Sequence, residues 1–364
     1  MKTYRIPLIP GPTLISTDVL ALYHNEYGSS DCEPEFFELY SETQNNLGRI
    51  IETQNKMALM NGEAMIALWG ALKSTLEKDD KILAITTGMF GCFMSEIADY
   101  IGCNVEIINS KEDEAADINK IESAIKRFQP KMVTIVHCET SSGIINSVEE
   151  VGKLIRKYDV PLYCVDAVSS AGGTPVKTDD WSIDLCLVGT QKCLSAPPDM
   201  GIIAVSDRAW KIIKKVNYQG YDALLPWENA LKNKHFPYTL SWHSTAAINK
   251  ACQSILEEGI ANVFKRHEII SAYCRNRVKE MGLLLFAKDE KYCSPTVTTI
   301  QVPKGVEWKK LNANLRTRKM VVGQGLGDYA GKVFRIGHMG EQANQEIVEH
   351  GMDILEYILL LREF

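Results

Sequence analysis

From about residue 60 to residue 205, short and nearly continuous apolar runs alternate with stretches in which apolar residues recur every three or four positions. These are the patterns of buried strands and of helices with one buried face. Strands are predicted over residues 81–86, 104–108, 132–137, 162–166, 183–188 and 201–205, and helices over 65–76, 118–128 and 148–158. Such alternation predicts an α/β lobe with a mainly parallel sheet and crossover helices, whose ligands bind at the carboxyl ends of the strands. After Val205 the pattern is helical. From about Met281 it becomes mixed, with strands over 296–302, 320–322 and 333–336, a helix over 308–315 and a closing helix. That predicts a smaller C-terminal α+β lobe. The expected organisation is an N-terminal arm of residues 1–15, a large domain of 16–259 and a small domain of 260–364. Gly259 is expected to cap the preceding helix in the left-handed conformation and to begin the link between the lobes.

Composition narrows the possible classes. The 364 residues are 45% hydrophobic and 24% charged, as in an ordinary globular enzyme. A formal charge of -6 argues against a nucleic-acid partner, which would require a basic excess. Prolines at positions 7, 10 and 12 interrupt the N-terminus before a signal-peptide core can form, and no apolar run is long enough for a bilayer. A cytoplasmic protein without a membrane partner is expected. The ten cysteines are scattered, without a C-x-x-C pair, and read as buried reduced thiols, so no metal site is expected.

Lys192 closes the tetrad Gly189-Thr190-Gln191-Lys192 after one apolar run, and Asp166 ends another. Singly they read as a loop lysine and a turn aspartate. Together, at neighbouring strand ends, they are the pair that pyridoxal phosphate (PLP) chemistry requires. The lysine holds the cofactor aldehyde as a Schiff base, and the aspartate keeps the pyridine nitrogen protonated so the ring can take up the electrons of a Cα carbanion.

Other segments supply the remaining parts, each beside a blander reading. Asn61-Gly62-Glu63-Ala64-Met65 is a turn opening into a helix, able to offer the N–H groups of Ala64 and Met65 to a phosphate, or an ordinary loop-to-helix junction. Phe90, between Gly88 and Gly91, suits stacking on a pyridine ring or a place in the core. Glu139-Thr140-Ser141-Ser142-Gly143 offers hydroxyls for polar contacts or for turn chemistry. Arg335, inside an apolar run, is a bidentate carboxylate clamp or half of a structural ion pair. His137-Cys138-Glu139 lacks the P-C-x-x-C of a zinc deaminase, and Gly323-Gln324-Gly325-Leu326-Gly327 lacks the spacing of a dinucleotide loop.

Pro10-Gly11-Pro12, Glu139-Thr140-Ser141-Ser142-Gly143, the run from Val165-Asp166-Ala167 to Gly172-Gly173, the run from Gly189 to Pro198, and Lys332-Val333-Phe334-Arg335-Ile336-Gly337 together resemble the class V, fold-type I PLP aminotransferases. The closest likeness is to the alanine-glyoxylate and serine-pyruvate group, over nearly the whole chain. The resemblance implies PLP as cofactor, with Lys192 and Asp166 as catalytic residues. It further implies Gln191 and Ser141 as cofactor contacts, Phe90 as the stacking residue and Arg335 as the carboxylate clamp. It also implies a homodimer with shared active sites, each phosphate being completed by the neighbouring subunit through Phe236-Pro237-Tyr238-Thr239, with Tyr238 and Thr239 as the matching residues.

Three departures bear on cofactor and substrate. Phe90 stands where relatives often have Trp, and Ala64-Met65 stand where they often have Gly-His or Gly-Thr. Glu26-Tyr27-Gly28-Ser29-Ser30-Asp31 replaces a His-Arg-type loop near the substrate mouth. The implied activity is a ping-pong transamination from a small amino acid, alanine or serine favoured, to a small 2-oxo acid such as glyoxylate or pyruvate. The alternatives are a 2-aminoethylphosphonate-type transaminase, and a cysteine desulfurase-like or β-eliminating PLP lyase with Cys193 as its nucleophile. A non-catalytic binding protein built on the fold is the reading from a different class.

Overall fold

The computed structural model describes residues 4–111 and 113–361. At its centre lies a seven-stranded sheet in the order Lys56–Asn61, Met200–Val205, Leu185–Gly189, Leu162–Asp166, Met132–Val136, Lys81–Thr86, Asn104–Asn109. Neighbours pair in parallel except at Met200–Val205, which runs antiparallel to both strands beside it. Every residue of Met132–Val136, Leu162–Asp166, Leu185–Gly189 and Met200–Val205 is buried. Successive side chains point to opposite faces, so both faces of the central sheet are covered, and this is why these strands read as continuous apolar runs. The helices Met65–Thr75, Met89–Ile101, Ile118–Phe128 and Val148–Lys157 lie between successive strands of the chain.

A second sheet has the order Ile6–Leu8, Met320–Gln324, Val333–Gly337, Val297–Gln301. Its first strand comes from the N-terminal arm, with Ile6 opposite Met320 in parallel register. Leu8, Phe334, Ile336, Met352 and Leu355 belong to a core built by this sheet and the helices around it, Ile260–Glu280, Trp308–Thr317 and Gln345–Leu360. A few residues later the arm reaches the other lobe, where the Thr13 N–H donates to the Gln191 carbonyl at 3.0 Å and Thr13 Oγ1 to the Lys192 carbonyl at 2.9 Å. The arm therefore ties the small sheet to the turn that carries Lys192.

Some elements differ from expectation. Gly259 has φ 87° and ψ 123°, positive but not left-handed helical, and helix Ile260–Glu280 begins at the next residue, leaving no linker there. The strand expected to start at Ile183 starts at Leu185, because the Asp184 carboxylate accepts from the Tyr163 N–H at 2.9 Å and pairs with Arg208 at 2.6 Å. Helix Pro34–Ile50, strand Lys56–Asn61 and helix Met89–Ile101 were not anticipated. No helix among the described residues is long and apolar enough to cross a membrane.

Candidate active site

Two adjoining cavities meet at Lys192, Gly11 and Phe90. The inner one, about 280 Å³, is lined by Glu63, Ala64, Met65, Asp166, Val168 and Gln191 among others. The outer one, about 420 Å³, adds Thr140, Gln324 and Arg335. Lys192 lies just past strand Leu185–Gly189, and its Nζ donates to the Pro10 carbonyl at 2.7 Å. Residue 11 has φ 85°, a conformation that favours glycine, and a Cβ there would lie 2.6–2.8 Å from Lys192 Cδ, Cε and Nζ, so the lysine side chain would have to shift. Burial, helped by the Arg335 guanidinium, lowers the Lys192 ammonium pKa to about 8, so the neutral amine is accessible near neutrality.

Asp166 ends strand Leu162–Asp166 with 6% of its surface exposed, and its Oδ1 accepts the Val168 N–H at 2.8 Å. Burial raises its carboxyl pKa to about 7, with Glu139 adding to the rise and Lys192 opposing it. Its other neighbours leave the charge uncompensated, so the pocket favours a cationic group beside it.

Phe90 is positioned by a residue 49 positions further along the chain. The wholly buried Glu139 carboxylate accepts the Phe90 and Gly91 N–H groups, each at 3.1 Å, and so caps the start of helix Met89–Ile101. Burial pushes the Glu139 carboxyl up, while these bonds and those from Ser141 hold it back. The approach is tight: a Cβ on Gly88 would lie 2.3 Å from Ser141 Oγ. Phe90 consequently faces both cavities.

Ser141 is hydrogen-bonded to neighbouring elements. Its hydroxyl donates to Glu139 Oε1 at 2.5 Å and accepts from the Met89 N–H at 2.9 Å, and it lines neither cavity. The preceding residue, Thr140, lines the outer cavity and hydrogen-bonds Ser169 through its hydroxyl. In a run of three hydroxyl residues, composition could not tell which one faces the site.

At the helix Met65–Thr75, the Ile66 and Ala67 N–H groups turn back to the Glu63 and Ala64 carbonyls, whereas those of Ala64 and Met65 make no hydrogen bond among the described residues. Gln191 donates to Glu63 Oε2 at 3.0 Å, and its buried Oε1 has no partner. Glu63, which sequence reasoning passed over, thus places a carboxylate at the rim of a donor-rich pocket.

Arg335 is 6% exposed. Its Nε and Nη2 donate to the Gln324 carbonyl at 3.0 and 2.8 Å, and Nη1 donates to the Thr140 carbonyl at 2.7 Å. Among the described residues no carboxylate lies within ion-pair distance of it, so the structural ion-pair reading has no partner. Burial brings its pKa down to about 10, which leaves it a cation throughout the physiological range.

The sequence model for the class V aminotransferases matches residues 13–333. The chain belongs to the class V aminotransferases. An aminotransferase of Methanocaldococcus jannaschii is 36% identical over 353 residues, covering 94% of this chain and 90% of that one. The (S)-ureidoglycine–glyoxylate transaminase of Bacillus subtilis is 31% identical, covering 98% and 91%. The crystal structure of an alanine–glyoxylate aminotransferase from Nostoc superposes with a TM-score of 0.94 at 28% identity, over 99% of this chain and 96% of that one.

In this class V aminotransferase the residues present fit the cofactor on which the family generally depends. An enclosed amine, a buried carboxylate awaiting a cation, an aromatic face and unpartnered N–H groups surround one cavity. The lyase alternative fares worse. Cys193 is 2% exposed, its Sγ contacts the Ser169 carbonyl at 3.5 Å and burial pushes its thiol far above the usual range, so it is not a mobile nucleophile. Tyr238 and Thr239 line neither cavity. The Tyr238 ring stacks on Tyr221 with centroids 4.3 Å apart, and its buried hydroxyl has no partner among the described residues. Thr239 Oγ1 donates to Asp31 Oδ2 at 2.7 Å, joining it to the Glu26–Asp31 loop.

Proposed function

We propose that this aminotransferase is a PLP enzyme that moves the amino group of a small amino acid, alanine or serine in the first instance, to a small 2-oxo acid such as glyoxylate or pyruvate, by a ping-pong mechanism. The observation that carries the reading is the convergence of Lys192, Asp166 and an unpaired, buried Arg335 on two adjoining cavities. Glyoxylate is named for both the Bacillus and the Nostoc proteins.

PLP supplies, when bound, an acceptor for the electron pair released at the substrate Cα. The Lys192 amine would hold the cofactor and, displaced by the incoming amine, carry the proton away from Cα. Asp166 would hold the proton on the ring nitrogen, Phe90 would lie against the ring, and Gln191 with the N–H groups of Ala64 and Met65 would hold the phosphate. Arg335 would fix the carboxylate that donor and acceptor share. Holoenzyme tested against a matrix of amino donors and 2-oxo acids checks the proposal, and failure of every pair to exchange an amino group would refute it.

Arg335→Lys is expected to cost about 2 to 4 kcal/mol in kcat/KM for each half-reaction, chiefly through KM, because an ammonium cannot reproduce a planar two-point contact. Cofactor absorbance should change little. Stopped-flow measurement of each half-reaction decides it: if neither slows, the clamp lies elsewhere.

The shared-site homodimer is part of the same proposal, with Thr239 reaching the neighbouring subunit's phosphate once its hydroxyl leaves Asp31. Thr239→Ala should then weaken cofactor retention. Mixing it with Lys192→Ala should give heterodimers with one doubly damaged site and one intact site, restoring part of the activity with normal cofactor affinity. Mixed dimers that show only the weak-binding site of the Thr239→Ala parent would confine the contact to one subunit.

A further inference from the structure

The outer cavity holds more positive charge than alanine, serine or glyoxylate can use. Besides Arg335 and Lys192 it is lined by Arg316, Asn312 and Gln324, and no aspartate or glutamate lines it. Trp308, Asn312 and Arg316 recur every four residues along helix Trp308–Thr317, and so present one face of that helix to the cavity. Trp308 anchors this face, stacked on Phe334 with ring centroids 5.6 Å apart.

Arg316 is held in place rather than left loose. Its Nε donates to Asn312 Oδ1 at 3.1 Å, its Nη1 donates to the Tyr4 hydroxyl at 2.7 Å, and the guanidinium lies 5.3 Å from the centre of the Tyr4 ring. Among the described residues Nη2 has no acceptor and no carboxylate pairs with Arg316. Ordering a long exposed side chain against a neutral amide and a phenol costs side-chain entropy, which an anion in the cavity would offset. The volume points the same way. About 420 Å³, separate from the inner cavity, lies in the range of pockets for ligands much larger than alanine.

We infer that at least one of the two substrates carries a second anionic group beyond its amino-acid or oxo-acid head, bound by Arg316 with Asn312 at the mouth of the outer cavity while Arg335 takes the first carboxylate. That substrate pair is a dicarboxylic or phosphorylated amino acid and its 2-oxo counterpart, in place of one of the two small pairs of the proposed reaction. This rests on the transaminase reading, and Arg316 acts in it as a specificity-determining residue.

The test uses holoenzyme and single amino acids, because each 2-oxo acceptor is represented by its own amino form. The half-reaction is followed by cofactor absorbance with aspartate, glutamate and phosphoserine against alanine and serine. The wild-type enzyme should react with one of the three anionic donors at least as well as with alanine. Arg316→Ala should lower the ratio of kcat/KM for that donor to kcat/KM for alanine by roughly tenfold to a hundredfold, mainly through KM, the size expected for a charge-assisted hydrogen bond. Arg316→Lys should recover part of the ratio. Preference among the three donors identifies the distal anion as carboxylate or phosphate.

Calorimetry gives a readout independent of turnover: succinate should bind the wild-type holoenzyme more tightly than propionate, and Arg316→Ala should remove the difference. An unchanged donor ratio, or equal affinity for succinate and propionate, with alanine still converted, overturns the inference and leaves the transaminase reading standing. Conversion of no amino acid at all overturns both.

Discussion

Lys192→Ala should yield a folded protein that forms no borohydride-reducible adduct with PLP and has lost turnover by roughly 10²- to 10⁴-fold or more. The lower figure is the usual contribution of one general acid–base group, and this amine is also asked to anchor the cofactor. Folding should survive because the amine is not a source of stability at neutral pH. Its pKa falls from 10.5 to about 8 in the folded chain, so the folded state disfavours the charged form. The unfolded chain binds more protons between those two values, and wild-type stability therefore rises as pH increases from 8 to 10.5. Below pH 8 the wild-type apoprotein carries the full cost of the buried ammonium. Apo Lys192→Ala should accordingly melt at or above the wild-type temperature at pH 7, with the difference shrinking from pH 8 upward. A reducible adduct mapped to another lysine would end the assignment. A variant that unfolds at pH 7 would show that the bond to the Pro10 carbonyl outweighs the burial cost.

The sheet was legible where burial is two-sided. Residues 162–165 and 185–189 form unbroken runs without a charged residue because both faces of the sheet are buried there, and this is the one circumstance in which a strand shows without alternation. Strand Lys56–Asn61 escaped because its apolar stretch, Met57-Ala58-Leu59-Met60, contains no β-branched residue and ends directly in the Asn-Gly turn. Helix Met89–Ile101 escaped for a non-local reason: its first turn holds Phe90 and Gly91 after Gly88, which reads as loop, and its capping carboxylate is Glu139, far along the chain.

The site followed the same rule. Lys192 and Asp166 were legible because strand ends are marked in sequence, and Arg335 because an arginine in an apolar run is costly unless it has a task. Which hydroxyl of Thr140-Ser141-Ser142 turns inward was settled by the Glu139 hydrogen bonds, a contact that composition does not encode. Glu63 and Arg316 were missed because a charged residue at a helix start, or on an exposed helix face, looks like solvated surface until the fold brings a cavity to it.

Asp166→Asn separates the chemistry of the site from its stability, since the two should move in opposite directions. The Asp166 carboxyl rises from 3.8 to about 7 on folding, so between those values the folded chain holds a proton that the unfolded chain has lost, and stability falls as pH rises through this window. Above pH 7 the apoprotein bears an uncompensated buried carboxylate. The neutral amide removes that cost. Apo Asp166→Asn should therefore melt above apo wild type at pH 8, and the gap should close on acidification towards pH 4. Loading PLP should reverse the order, because the carboxylate then has a cationic nitrogen to pair with and the amide does not. In the loaded variant the lysine attachment should persist while kcat falls by roughly 10²- to 10³-fold, the scale on which loss of one preorganised electrostatic contact is felt in a transition state. Melting curves of both forms at pH 5 and pH 8, with stopped-flow rates of the half-reaction, give the full comparison. Near wild-type kcat would make Asp166 a turn residue. An apo variant less stable than wild type at pH 8 would mean that the hydrogen bond from Val168, and not burial, dominates the carboxylate.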